Sequence, residues 1–126
     1  MGGMIATNVL SCNCPSNRVL ELISGKWSML VVYALRARTL RYSELHATVE
    51  GISQKMLTQT LRELERDGLL TRTIYPVVPP RTEYTLTPLG QSLQQVVTDM
   101  GLWAERHMDE VLEARAGYDG AGKAGG

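Results

Sequence analysis

Between Ser53 and Gly68 the apolar residues Leu57, Leu61 and Leu64 recur at spacings of four and three. That period predicts a helix with one apolar stripe turned to a core. The opposite side gathers Gln54, Lys55, Thr58, Gln59, Arg62 and Arg66, amides and bases rather than the mixed charges of an ordinary solvated face. Ser53 is placed to cap the start, and Asp67-Gly68 supplies an end at which glycine tolerates a left-handed turn. Just upstream, Tyr42 to Val49 carries Leu45 and Val49 at helical spacing, with Ser43 expected as its cap, and the link Glu50-Gly51-Ile52 is short. Two short helices joined by a tight glycine-containing turn predict a helix-turn-helix, whose second helix fits a major groove roughly 12 Å wide. An amphipathic helix pair in any small helical domain fits the same pattern.

The rest of the chain extends this picture on both sides. Ser16 is placed to cap a helix running to about Ser24, with Val19, Leu20 and Ile23 on one side and Gly25 at its end. Lys26 to Arg36 is apolar almost all round, through Trp27, Met29, Leu30, Val31, Val32, Tyr33 and Leu35, and its length favours a buried helix over a strand. It is expected to form the centre of the core. Arg36 to Arg41 reads as a turn and a short edge strand, with Arg41 among bases placed to meet phosphates. Leu69 to Tyr75 and Thr82 to Thr87 both have strand character, and Pro76, Pro79 and Pro80 interrupt the ladder between them. The pair predicts a hairpin with a proline-stiffened tip carrying Arg81. A hairpin directly after such a helix is the wing of a winged helix, and Arg81 there would be drawn to the minor groove. A solvated loop charge is the alternative for that arginine.

Thr87-Pro88 opens a last helix, with a capping hydroxyl and proline at the first helical position. Leu89, Leu93, Val96, Met100 and Trp103 follow the spacing of a helix seam, which Val97, Ala104 and Val111 widen. The helix is longer than one domain needs for its own core, so part of it is expected to pack against a second copy. Folding back onto its own domain is the alternative. The expected organisation is a flexible lead over residues 1–13, one domain over 14–114 and a disordered glycine-rich tail over 115–126. The fold class is mainly α with a small β hairpin, a winged helix-turn-helix with dimerisation helices at both ends.

Charge sharpens this reading through its distribution. The net charge is zero, from 13 basic and 13 acidic residues among 126. Residues 1–86 hold ten Lys/Arg against seven Asp/Glu, whereas residues 87–126 hold three against six. The basic excess sits with the helix-turn-helix, where phosphate contacts need it. No apolar run approaches the roughly 20 residues of a membrane span and no secretory signal is apparent, so the expected compartment is the cytoplasm. The two cysteines, Cys12 and Cys14, have one residue between them, which fits neither a structural zinc site nor a Cys-x-x-Cys redox pair. They read as inert reduced thiols, or as a reactive thiolate at a helix start after Pro15. His46 and His107 read as surface or interface residues, and no catalytic set, metal site or cofactor-binding loop is visible.

Ordered along the chain are Cys14-Pro15, Gly25-Lys26-Trp27, Arg41-Tyr42-Ser43-Glu44-Leu45, Gly51-Ile52-Ser53, Met56-Leu57-Thr58 and Leu61-Arg62-Glu63-Leu64-Glu65. Asp67-Gly68-Leu69, Val78-Pro79-Pro80, Glu83-Tyr84 and Leu86-Thr87-Pro88-Leu89-Gly90 follow. In these the chain resembles the HxlR-type bacterial transcriptional regulators, winged-helix proteins of the broader MarR-like kind. The resemblance covers about Cys14 to Trp103 and implies a homodimer bound to an inverted-repeat operator, with a dimer interface built from the first and last helices. Joined to the reading of the helix face, the basic turn and the wing given above, it makes Arg41, Ser53, Gln54, Lys55, Thr58, Gln59, Arg62 and Arg81 the expected DNA contacts. Several such proteins sense quinones, aldehydes or hypochlorite through the cysteine before the proline, here Cys14; Cys12 is an addition that could act as a second thiol. A regulator responding to a non-thiol ligand, a winged helix used only for protein interaction and a small thiol enzyme are the competing readings.

Overall fold

The computed structural model describes residues 20–21 and 25–125, with side chains through residue 121. Helix α1 spans Lys26–Ala34, strand β1 Leu40–Arg41, helix α2 Tyr42–Thr48 and helix α3 Gln54–Arg66. Strand β2 spans Leu70–Tyr75, strand β3 Arg81–Leu86 and helix α4 Pro88–Gly125. The three strands form one antiparallel sheet in the order β1-β3-β2. Leu70 pairs with Leu86 and Tyr75 with Arg81, so β2 and β3 are the hairpin that follows α3, and Leu40 pairs with Tyr84 on the other edge.

The core forms where the apolar stripes of these elements converge. Leu57, Leu61 and Leu64 of α3 are buried together with Val31, Val32 and Leu35 from the α1 segment, Leu45 of α2, and Leu70, Tyr84 and Leu86 of the sheet. Helix α1 lies against both α3 and α4, as the apolar Lys26–Arg36 run predicts. One of its faces, through Leu30 and Tyr33, stays exposed. Gly68 takes a φ of 76° after α3, a conformation that costs a side-chain-bearing residue about 1 kcal/mol or more, and Gly51 takes 88° in the turn between α2 and α3.

Two local expectations are corrected. Helix α2 is not capped by Ser43. Glu44 accepts a hydrogen bond from the Arg41 backbone N–H at 2.8 Å, because a carboxylate in the first turn reaches back to an orphan donor and complements the helix dipole. The other correction is at the C-terminus, where α4 continues to Gly125, through the segment whose glycines predict disorder. Once a helix is nucleated each further residue adds a hydrogen bond, and Ala114, Arg115, Ala116 and Ala121 are strong helix formers placed among those glycines. No described helix is long and apolar enough to cross a membrane.

Candidate nucleic-acid interface

Helix α3 presents its polar side to solvent. Ser53 caps it, its Oγ accepting from the Met56 N–H at 3.0 Å, and Gln54, Lys55, Gln59, Arg62 and Arg66 are exposed while Thr58 is half-buried. Gln54, Lys55, Thr58, Gln59 and Arg62 line a single shallow concavity together with Tyr42 and Glu63. The expected face is therefore one contiguous surface. Within it Gln59 Nε2 donates to Glu63 Oε1 at 3.1 Å, an arrangement that restrains the Gln59 amide. Lys55 and Arg62 form no ion pair among the described residues, so their charges are free for an anionic partner.

Tyr42 ties this surface to the rest of the domain, a role not read from the sequence. Its hydroxyl lies 3.1 Å from the Gln54 carbonyl, to which it donates, and 3.0 Å from Thr58 Oγ1. Tyr42 also lines a second concavity with Arg41, Ser43 and the hairpin from Val77 to Thr82. Tyr42 thus borders both the polar face of α3 and the β2-β3 hairpin. The signal available in the sequence was the Arg-Tyr-Ser-Glu run, which marks the family without marking the hydroxyl's partner.

Arg81 departs from its expected place at the wing tip. It is the first residue of β3, beneath the Pro76 to Pro80 tip, and its guanidinium stacks 4.7 Å from the Tyr75 ring centroid. Its Nε lies 3.3 Å from Glu83 Oε2, an ion pair by distance without hydrogen-bond geometry, since the same buried Nε has no hydrogen-bond partner. A cation beside an aromatic face and a carboxylate two residues along the same strand is held down, whereas Val78 at the tip is fully exposed. Two more arginines are likewise matched: Arg72 lies 3.6 Å from Glu65, and Arg38 lies 3.6 Å from Glu44. Accepting the Arg41 N–H holds the Glu44 carboxyl below the usual carboxylate range, with Arg38 helping and burial opposing. Burial pushes the Tyr84 phenol, under the sheet, above its ordinary value.

The expected dimerisation residues separate into two groups. Val97 is 8 % exposed and belongs to the protomer's own core, Leu93 packs against that core, and Ala104 is half-buried. Val96, Met100 and Trp103 are 55 %, 51 % and 58 % exposed, on the neighbouring flank of the same helix. Leu20 is exposed too. Cys12, Cys14, Val19 and Ile23 lie outside the described residues.

This geometry has close parallels. Residues 22–112 match the family described as HxlR-like helix-turn-helix. The chain is 44 % identical over 108 residues to the uncharacterized HTH-type transcriptional regulator YtfH of Escherichia coli, covering 86 % of each. The ytfH protein of Salmonella typhimurium superposes with a TM-score of 0.82 at 43 % identity, over 86 % of this chain and 97 % of that one. The redox regulator HypR is 40 % identical in both of its solved forms. Its reduced form has a TM-score of 0.71 over 79 % of this chain and 98 % of that one, its oxidized form 0.68 over 74 % and 96 %. A family match across most of the chain, on a winged helix with an exposed reading face, identifies the chain as a helix-turn-helix transcriptional regulator belonging to the HxlR family.

Proposed function

We propose that the chain is a cytoplasmic homodimer that binds an inverted-repeat operator in double-stranded DNA, performs no catalysis and needs no cofactor. Gln54, Lys55, Thr58, Gln59 and Arg62 face the major groove, Ser53 and Arg41 meet the flanking backbone, and Arg81 steadies the wing over the minor groove. The observation that carries this reading is the single concavity in which the exposed amides of Gln54 and Gln59 stand beside the unpaired cations of Lys55 and Arg62. Amides and bases of this kind pair with base edges, and the cations answer the phosphate charge. Val96, Met100 and Trp103 on one flank of α4, with Val19, Leu20 and Ile23 near the N-terminus, form the dimer interface. The working unit is residues 14–114.

Cys14 is the proposed switch, and the comparison with HypR, a redox regulator solved in oxidized and reduced forms, supports it. An oxidant such as hypochlorite takes two electrons from two thiolates as an intersubunit disulfide forms, with Cys12 as a candidate second thiol; a quinone instead adds to the Cys14 thiolate. Binding of purified protein to DNA flanking its own gene, across a salt series and with and without oxidant, tests the whole reading. Tight binding that weakens steeply with salt and responds to oxidant only while Cys14 is present is the expected result. Oxidant-insensitive binding in both wild type and Cys14→Ser removes the thiol switch and leaves the regulator of a non-thiol ligand. The zero net charge and the exposed apolar flank of α4 favour a second reading, a protein-interaction module, which predicts no specific DNA binding at any salt.

A further inference from the structure

The end of the reading helix and the start of the long helix are bolted together through one side chain. Thr87 Oγ1 donates to the Gly68 carbonyl at 2.6 Å, across 19 positions of sequence, and accepts from the Gly90 N–H at 3.1 Å. The Thr87 backbone N–H donates to the Leu69 carbonyl at 3.0 Å, and Leu69 N–H in turn donates to Leu64 within α3, also at 3.0 Å. Gly90 makes this approach possible, because a Cβ there would collide with the Leu69 carbonyl. The whole β2-β3 hairpin lies between Gly68 and Thr87 in sequence, so this lock closes the base of the wing, one residue beyond the Leu70–Leu86 pair, and ties the end of α3 to the start of α4.

The geometry points to Thr87 as a positioning residue that sets the spacing between the two reading helices of the dimer. This rests on the reading above, in which α4 carries the dimer interface and two half-sites are bound at once. Leu69, Leu86 and Val97 share one buried apolar core, which holds the elements together without fixing their angle, since burial is non-directional. Hydrogen bonds at fixed distances to Gly68 and Gly90 do constrain it. A spacer changed by one base pair moves a half-site by about 3.4 Å and turns it by about 35°, so only a stiff α3-α4 joint penalises the wrong spacing.

The test uses the full chain on duplexes carrying the half-site found by footprinting, as an inverted repeat at the native spacing and at one base pair more or fewer, and as a lone half-site. Thr87→Val keeps the shape and removes the hydroxyl; Thr87→Ser restores it; Thr87→Ala replaces the valine variant if that one does not fold. Wild type is expected to prefer its native spacing by about tenfold or more, Thr87→Val to fall to about threefold with unchanged lone half-site affinity, and Thr87→Ser to recover the preference. Equal spacing preference in wild type and in the hydroxyl-free variants overturns this role alone. Wild type indifferent to spacing overturns it together with the dimeric reading of the operator.

Discussion

Tyr42 concentrates the residue-scale argument, because one hydroxyl supports two positions of the reading surface. It donates to the Gln54 carbonyl at 3.1 Å and contacts Thr58 Oγ1 at 3.0 Å. Replacing a hydrogen-bonded hydroxyl typically loses about 0.5 to 1.5 kcal/mol per bond, so Tyr42→Phe should lower stability by roughly 1 to 2 kcal/mol in urea denaturation. DNA affinity should fall as well, since Thr58 loses its brace; undiminished stability and affinity would show that the ring alone suffices. Arg62→Ala probes the contact surface itself, with an expected loss of about 1 to 3 kcal/mol of operator binding and relaxed preference at one base position. Unchanged binding by that variant would remove Arg62 from the reading set. The six polar residues of α3 were legible in the sequence because their side chains follow from helical period alone. Tyr42 was not, because its partners lie twelve and sixteen positions away and only the packing of α2 on α3 brings them within reach. Arg81 was misplaced for a related reason. A charge near prolines reads as a free tip, whereas its stacking on Tyr75 depends on the register of β2 against β3, and Glu83 meets it only because residues 81 and 83 share one face of the same strand.

At the scale of elements, boundaries written in local chemistry were readable and those set by tertiary contacts were not. Ser53 as cap, Gly68 as terminator and Thr87-Pro88 as the start of α4 all follow from single residues with defined backbone roles. The cap of α2 did not, since Ser43 and Glu44 both suit a first turn and the choice between them depends on the chain arriving from β1. That cap has a pH signature. The folded-state pKa of Glu44 is lowered chiefly by the Arg41 N–H, so its contribution to stability is present above the unfolded carboxylate pKa and is lost as pH falls through the folded value. Wild type should therefore exceed Glu44→Gln in stability at neutral pH and converge with it in acid, as followed by denaturation across a pH series. A difference that does not vary with pH would mean the carboxylate charge is immaterial to the cap. Gly90 marks the other junction. Gly90→Ala drives a methyl into the Leu69 carbonyl and should cost about 1 to 3 kcal/mol or more, although alanine is the better helix former.

For the whole molecule, the long helix α4 has a buried flank and an exposed apolar flank, and two adjacent valines separate them. At about 1.5 Å per residue its 38 residues extend roughly 57 Å, far more than the protomer core covers. Val97, at 8 % exposure, faces that core, while Val96, at 55 %, shares the outer flank with Met100 and Trp103. The seam seen in sequence merged these flanks, since a spacing of three and four cannot say which of its residues the protomer's own core takes up. An aspartate at position 97 buries a carboxylate in the protomer core, whereas one at position 96 is buried only across the proposed dimer interface. Val97→Asp should fail to fold, visible as lost helical circular dichroism and no cooperative transition. Val96→Asp should fold with near-normal secondary structure, sediment as a monomer and bind an operator only as weakly as a lone half-site, because the second reading helix is no longer tethered. A Val96→Asp protein that remains dimeric would place the interface elsewhere on the chain, whereas one that is monomeric yet keeps full operator affinity would show that one reading helix and its wing are enough.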